Sequence, residues 1–422
     1  MSDAVDHVVV VGAGVVGLAS AHALASRGYR VTLLDRNPEE RDGCSFGNAG
    51  MIVPSHFVPL AAPGMVWLGL KWMFDPESPF WIRPRLDRGL VEWGWRFWRA
   101  ANRQQVARAE PLLRDLNLAS RRCYEALADE TVGIGDFGLV KRGLLMLCRT
   151  ERGLEEEAKF AARANELGVP AEVLDARATA AADPAITMAV AGSVRFPLDA
   201  HLAPERFLAA LAAACRRLGV VFRFGTEVTG IRARGRRIVA VESAGAVDEA
   251  AEVVLAGGAW SPALVRSLGL RLPMQAGKGY SLTLDRPPQL PGMCSICTEA
   301  RLAVTPMAGR LRIGGTMEIA GLDERVDPRR VRGIIRGALQ YFPAFAEADF
   351  AGVEPWKGLR PCSPDGLPYL GRTTRYDNLV VATGHAMMGL SLAPITGRIV
   401  GQLVAGEPPE HDLTLLSPDR FG

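Results

Sequence analysis

The chain has 422 residues, 48% of them hydrophobic, with 49 basic and 46 acidic side chains and a net charge of +3. That balance excludes the basic surface of a nucleic-acid binder and leaves small-molecule chemistry as the expectation, while the length suits two domains. Seven cysteines, scattered and odd in number, make no disulfide framework, and Cys294 and Cys297 form a lone C-x-x-C, so ordinary thiols, no metal and a cytoplasmic setting are expected.

The first predicted element is the β-branched run of "VVVVGAGVVG", residues 8 to 17, which reads as a buried parallel strand. Gly12, Gly14 and Gly17 follow in the spacing G-x-G-x-x-G, and "LASAHALASRG" continues as a helix that Gly28 stops. "YRVTLLD" supplies a second strand ending in Asp35, where a carboxylate meets a ribose hydroxyl. Gly12 permits the tight turn, Gly14 the approach of a pyrophosphate, and Gly17 close helix packing, with Ala13, Val15 and Val16 completing the cradle. The order strand, glycine turn, helix, strand, acid predicts a bound dinucleotide. Asp35 suits an unphosphorylated ribose, FAD or NAD, although Arg36 beside it keeps NADP open. The first strand begins almost at once, so no signal peptide is expected, and no apolar run reaches the roughly 18 residues of a membrane span.

From Phe57 to Asn102 the composition changes, with Trp67, Trp72, Trp81, Trp93, Trp95 and Trp98 interleaved with Lys71, Arg83, Arg85, Arg88, Arg96 and Arg99. This pattern allows a peripheral membrane contact through residues 67–99 or simply a core with a solvated rim. "ERGLEEEAKFAARANELG" and "APERFLAALAAACRRLG" read as amphipathic helices, the second followed by a strand over "VVFRFGTEVTGIRA". "RRIVAVESAGAVDEAAEVVLAGGAW" reads as a meander ending in a buried strand and a glycine turn at Gly257 and Gly258. "LRIGGTMEIAG" is a strand and "RRVRGIIRGALQYFP" a helix. Finally "NLVVATGHAMMGLSLAPITGRIVGQLVAG" repeats the opening grammar of strand, glycine turn at Gly384, and helix from Leu390 to Val404. Backbone N–H groups of Gly389 and Leu390 at that helix start would stabilise negative charge, which suits the N1/C2=O end of a flavin and moves the choice from NAD to FAD. The glycine turns lie far apart, so the nucleotide domain is expected to be discontinuous.

These stretches, with "SFGNAGMIVPS" and "GLRPCSPDGLPYLG", resemble the FAD-dependent amine oxidoreductases of the D-amino-acid oxidase superfamily, and within it the bacterial D-amino-acid dehydrogenases, over almost the whole chain. The resemblance implies an α/β fold, α+β overall, with a Rossmann-like FAD-binding domain (1–56, 200–270 and 355–422) and an inserted antiparallel-sheet substrate domain (57–199 and 271–354). It implies that Ala49, Gly50 and Met51 pass the flavin ring with Ser45 and Asn48 bracketing it, that Val228 holds the adenine, and that Gly257 lines the nucleotide. It further implies that Arg360 in "KGLRPCSPDGLP" binds a substrate carboxylate through a bidentate pair. The Cα hydrogen is then held over flavin N5, and catalysis is mostly positioning.

His56, directly after the flavin-facing turn, His385, in the turn beside the C2=O end, and Tyr280 are candidates for hydrogen bonds to substrate or cofactor. "RLAVTPM" lacks the aromatic hydroxyl that related oxidases tend to place nearby, which leaves the second carboxylate contact unassigned and suits a cyclic imino acid such as D-proline or hydroxy-D-proline. The expected activity is dehydrogenation of the C–N bond of a D-amino or D-imino acid, with electrons passed to a quinone or other respiratory acceptor, in the cytoplasm or peripherally on the inner face of the membrane. The alternatives are a glycine- or sarcosine-type oxidase that uses oxygen, and an NAD-binding protein with no chemistry.

Overall fold

A computed structural model describes residues 7–422 apart from 41, 74, 76, 130 and 132, so two positions of the tryptophan-rich stretch lie outside the described residues. Strand His7–Val11 is the centre of a six-stranded sheet, with Arg30–Leu34 on one side and Glu252–Leu255 on the other, all parallel. Val221–Arg223 extends one edge, and Leu379–Thr383 and the antiparallel Tyr369–Arg372 extend the other. Near-continuous apolar runs such as Val8 to Val11 and Leu379 to Val381 form these strands because helices and a small sheet cover both faces. One of those helices, Val15–Ala25, packs on Gly389–Val404, where Gly397 meets the backbone of Ala19 so closely that a side chain would not fit.

A second sheet of nine strands is mostly antiparallel, with Leu144–Cys148 parallel to Cys294–Cys297 and Phe80–Ile82 parallel to Arg310–Ile319. Helix Pro328–Tyr341 packs on it around a core that includes Tyr280, Leu282, Ile313 and Ile334. Both the Rossmann-like sheet and the inserted sheet of the expected architecture are present.

Three local expectations differ from the structure. The single strand expected over "VVFRFGTEVTGIRA" is two, Val221–Arg223 in the nucleotide sheet and Val228–Arg234 in a three-stranded one, because the chain turns at Gly225, whose φ is +62°. The segment from 355 contributes its first strand, Trp356–Cys362, to the larger sheet beside Gln275–Leu284, so the expected boundary there falls ahead of a strand of the other sheet. Ala386–Val404 is, by length and a mean hydropathy of 1.2, apolar enough to cross a membrane, although Thr396 and Arg398 interrupt any unbroken run. It is 67% buried and packs against Val15–Ala25 and Arg103–Leu127, which accounts for its hydropathy as that of a core helix.

Candidate active site

A cavity of about 830 Å³ runs past the first glycine turn. Gly12, Gly14, Val15, Val16, Asp35 and Arg36 line it, and so do Ser45, Asn48, Val228, Gly257, His385, Gly389 and Leu390, which gathers residues from six separated segments. Gly12 has φ +105°, and a Cβ on it would collide with the carbonyl of Ala256, just past the end of the neighbouring strand. A Cβ on Gly17 would collide with the carbonyl of Gly12, so the helix sits on the turn only because both positions lack side chains. Gly14 is open apart from Ser45 Oγ, which accepts a hydrogen bond from Val15 N at 3.0 Å at the helix start. Asp35 accepts from Ala13 N at 2.7 Å and from Asn37 N at 2.8 Å. Two such bonds leave lone pairs on a carboxylate that the cavity wall exposes. Arg36 lies 3.8 Å from the centroid of the Trp260 ring. This cradle fits a dinucleotide: glycines where phosphates approach a helix start, and an acid where a ribose would lie.

Four of the expected cofactor-binding residues, Ala13, Gly17, Gly50 and Gly384, are not among those lining either cavity. Ala13 and Gly17 stand behind the cavity wall, and act through the turn that they allow. Gly50 turns its carbonyl to Leu202 N at 2.8 Å, and Gly384, between the lining residues Thr383 and His385, packs against Tyr369.

A second cavity, about 440 Å³, adjoins the first at Cys44 and Asn48, which line both. Ala49, Met51 and His56 line this one on the side of the 44–51 turn. The turn is held from beneath by Arg312, buried in the larger sheet, whose Nη1 donates to the carbonyls of Phe46 at 3.0 Å and Asn48 at 2.9 Å. Nothing in the local sequence marks Arg312 for this role, since the two carbonyls it holds lie more than 260 residues away.

Strand Trp356–Cys362 separates the cavities by simple alternation: Leu359 and Pro361 line the larger, while Gly358 and Arg360 line the smaller. Arg360 Nη1 donates to the carbonyl of Thr316 at 2.7 Å. Thr316 has φ +70°, which a β-branched residue rarely adopts, and it sits where the pairing of Gln275–Leu284 with Arg310–Ile319 shifts register, with Thr316 and Met317 opposite Gly279. Among the described residues, Arg301 and Arg360 are the charged groups that line the smaller cavity, and no carboxylate does. The arrangement attracts an anion and gives a cationic amine no counter-charge. Trp93, Phe97, Phe80 and Leu70 close the remaining wall with apolar surface.

Tyr280 does not offer its hydroxyl to this site. Tyr280 is among the residues that line the smaller cavity, but its side chain packs in the core beneath helix Pro328–Tyr341, where the hydroxyl donates to Glu318 at 2.6 Å beside buried Lys278. Burial and the Glu318 carboxylate push its ionisation well above the usual range. The alternation that turns Gly279 toward Arg360 and Ser281 toward the carbonyl of Gly47 sends the Tyr280 hydroxyl to Glu318 instead.

His385 is buried, and its Nε2 lies 3.1 Å from Thr396 Oγ1, so it joins the turn to the following helix at the wall of the larger cavity. Burial lowers it to about 4, and it is neutral. His56 is likewise lowered to about 4 by burial, and its Nδ1 lies 3.0 Å from Ser55 Oγ.

Residues 7–403 match the family described as DAO, FAD dependent oxidoreductase. A D-amino acid dehydrogenase of Methylobacterium nodulans is 38% identical over 426 residues, covering 98% of this chain and 99% of the relative. Another of that name, from Granulibacter bethesdensis, is 34% identical over 421 residues, again 98% and 99%. Among solved structures, glycine oxidase from Geobacillus kaustophilus superposes with a TM-score of 0.78 at 28% identity over 99% of this chain and 100% of that one. L-proline dehydrogenase from P. horikoshii shares the fold, with a TM-score of 0.76 at 18% identity, over 99% and 97%.

Proposed function

This chain belongs to the DAO family of FAD dependent oxidoreductases, and we propose that within it the protein is a D-amino-acid dehydrogenase. It acts on the Cα–N bond of a D-amino acid or cyclic D-imino acid such as D-proline or hydroxy-D-proline. The observation that carries this reading is the position of Arg360, in a cavity that adjoins the nucleotide cradle and presents no carboxylate. The curated relatives named D-amino acid dehydrogenase support it.

FAD is the cofactor, and when bound it supplies the acceptor for the hydride that leaves Cα. Gly12, Gly14, Ser45 and the helix start at Val15 would hold its pyrophosphate, Asp35 the ribose of its adenosine, and Val228 the adenine. Gly389 and Leu390, at the start of the last long helix, would face the ring edge that gains charge. Arg360 binds the substrate carboxylate by a two-bond fork, anchored by its own bond to Thr316. The apolar wall of Trp93, Phe97 and Phe80 receives the side chain or ring and excludes water. With no carboxylate to stabilise an ammonium, the cavity favours the neutral amine, whose lone pair is needed to form the C=N bond.

The electron acceptor in this reading is a quinone or another respiratory carrier, and the protein works in the cytoplasm at the inner face of the membrane. Trp67, Trp95 and Trp98, at 76%, 52% and 63% exposure, support that placement, with Lys71, Arg88 and Arg99 exposed beside them on helices Met65–Trp72 and Arg88–Ala100. Aromatic side chains flanked by cations suit an anionic lipid surface. A second reading, an oxidase that uses oxygen, is favoured by the likeness to glycine oxidase.

The test is a screen of D-amino and imino acids with an artificial dye, with and without oxygen. Turnover of D-substrates with dye and little hydrogen peroxide in air is the expected result. Peroxide at the rate of turnover makes it an oxidase, and no turnover of any amino acid removes the substrate reading.

A further inference from the structure

We propose that Asp199, Ser55 and His56 form a relay that takes the proton from the substrate amine, with Asp199 as its terminal acceptor. The inference rests on the amino-acid reading above. Its frame is a pair of two-residue strands: Met51–Ile52, which follows the 44–51 turn, pairs antiparallel with Ala200–His201. That pairing sets Asp199 beside Ser55 although 144 positions separate them. Ser55 N donates to Asp199 Oδ1 at 3.1 Å, and the Ser55 hydroxyl donates to Oδ2 at 2.5 Å. His56 Nδ1 lies 3.0 Å from the same hydroxyl oxygen.

A hydroxyl has one proton. Committed to Asp199, it leaves only lone pairs for His56, so Nδ1 must carry the hydrogen and Nε2 the lone pair. The ring of His56 lines the smaller cavity together with Arg360. His56, with the lone pair on Nε2, thus belongs to the wall of the chamber in which Arg360 fixes the carboxylate.

In the step, one N–H bond of the substrate ammonium breaks and its proton joins His56 Nε2. The Nδ1 proton passes to Ser55 Oγ while the hydroxyl proton passes to Asp199 Oδ2. The products are a neutral amine, a neutral His56 in its other tautomer, an intact Ser55 hydroxyl and a neutral Asp199 carboxylic acid. No electrons move, and oxidation of the C–N bond by the flavin follows as a separate event.

Asp199 is the better resting place for the proton. It is fully buried, and burial, opposed by the Ser55 hydrogen bonds and by Arg121, raises its carboxyl to about 7. Burial lowers His56 to about 4, so of the two groups Asp199 is the one that holds the proton. Moving it there neutralises a buried anion instead of creating a buried imidazolium. The other titratable groups about Asp199 do not compete. Arg121 is paired with Glu125 at 3.0 Å, and the Cys294 thiol is raised well above its usual range by burial. His201, near Arg142, is lowered to about 4 by burial. No charged side chain shifts His56, which titrates through burial alone, and the cations lining its cavity are Arg301 and Arg360.

The relay is tested on the FAD-loaded enzyme with D-alanine and D-proline, a dye acceptor, and wild type, Ser55→Ala, Ser55→Thr and Asp199→Asn. Activity-independent evidence comes from 15N-histidine NMR, with the His56 signals assigned by their loss in His56→Asn. Wild type should show His56 as the Nδ1–H tautomer and a kcat/KM that falls below about pH 7. Ser55→Ala and Asp199→Asn should lose that acidic limb and roughly a hundredfold in kcat/KM at normal FAD content. Ser55→Thr, which keeps the hydroxyl, should restore the limb and the tautomer, as a merely structural serine would not require. If Asp199→Asn does not fold, Ser55→Ala and Ser55→Thr decide. Active variants with the wild-type pH profile and tautomer overturn the relay alone. Wild type inert toward every amino and imino acid overturns the substrate reading and the relay with it.

Discussion

The guanidinium of Arg360 fills the space that a side chain on Gly279 would need: a Cβ built on Gly279 collides with Nη1, Nη2 and Cζ of Arg360. The two residues are on adjacent strands of the larger sheet, and the absent side chain leaves Arg360 room to reach the carbonyl of Thr316. Gly279→Ala should therefore injure substrate binding while sparing the fold, because the displaced atoms are the mobile end of a long side chain. KM for carboxylate substrates should rise about tenfold or more at unchanged FAD content, with a smaller change in kcat. An unchanged KM would separate Gly279 from the site.

Arg360→Ala should cost about 3 kcal/mol of transition-state binding, roughly a hundredfold in kcat/KM, because it leaves the substrate carboxylate unpaired. Arg360→Lys should recover part, since a point charge cannot reproduce the two parallel bonds of the fork. The control is pyrrolidine in place of D-proline. Wild type should use it poorly and Arg360→Ala no worse, and full activity of the alanine variant on carboxylate substrates would falsify the assignment.

Asp35→Ala should leave a larger fraction of the protein without FAD but preserve turnover per bound flavin. A ribose contact stabilises ground and transition states alike, at about 1 to 3 kcal/mol for a charged hydrogen bond. The lost bond to Ala13 N loosens the same turn and acts in the same direction. Titration of apoprotein with FAD, followed by rates per flavin, checks both halves. A collapse of turnover at normal affinity would contradict the assignment.

Gly14→Ala and Gly17→Ala should separate ligand binding from folding. At Gly17 a methyl group meets the carbonyl of Gly12, a backbone atom that cannot swing aside, so Tm should fall even without FAD, by about 1 to 3 kcal/mol of stability. At Gly14 the nearest atom is Ser45 Oγ at 3.4 Å. That variant should keep the Tm of the apoprotein and lose FAD affinity. Equal effects of the two on apoprotein Tm would refute the division.

The buried Asp199 should make stability depend on pH in a direction opposite to most carboxylates. Its carboxyl is raised from 3.8 to about 7 in the folded chain, so between those values the folded state keeps a proton that the unfolded state has lost. The contribution is complete below about pH 4 and is lost as the pH rises through about 7. Asp199→Asn removes the titration. Between about pH 5 and about pH 8 the Tm of the variant should therefore gain on that of wild type. A difference in Tm that is constant with pH rules out the raised carboxyl.

Anionic vesicles should carry the wild-type protein upward in a flotation gradient, less so in high salt, and Trp95→Ser with Trp98→Ser should weaken this without changing FAD content. Binding that survives both substitutions would remove the tryptophan surface from the membrane reading.

What the amino-acid sequence determined by itself was local. Strand, glycine turn, helix and second strand follow one another within Val8 to Asp35, and each step is set by residues a few positions apart: β-branched runs, glycines that no side chain replaces, and an acid where the second strand ends. The same holds for the last strand and helix around Gly389, and for Arg360 in the Gly-Leu-Arg-Pro stretch of its strand. Tertiary structure decided what depended on pairing across long separations. Nothing near Tyr280 states which face of its strand it takes; register with Arg310–Ile319, and the bulge at Thr316 and Met317, turn the hydroxyl toward Glu318 and leave Gly279 beside Arg360. Asp199 carries no signal in its own neighbourhood, and it meets Ser55 only because two short strands pair across 144 positions. A one-residue shift in either pairing would put every affected side chain on the opposite face, and local periodicity does not choose between the two registers. The choice belongs to the packed core, which buries one face of the sheet and so admits a single register.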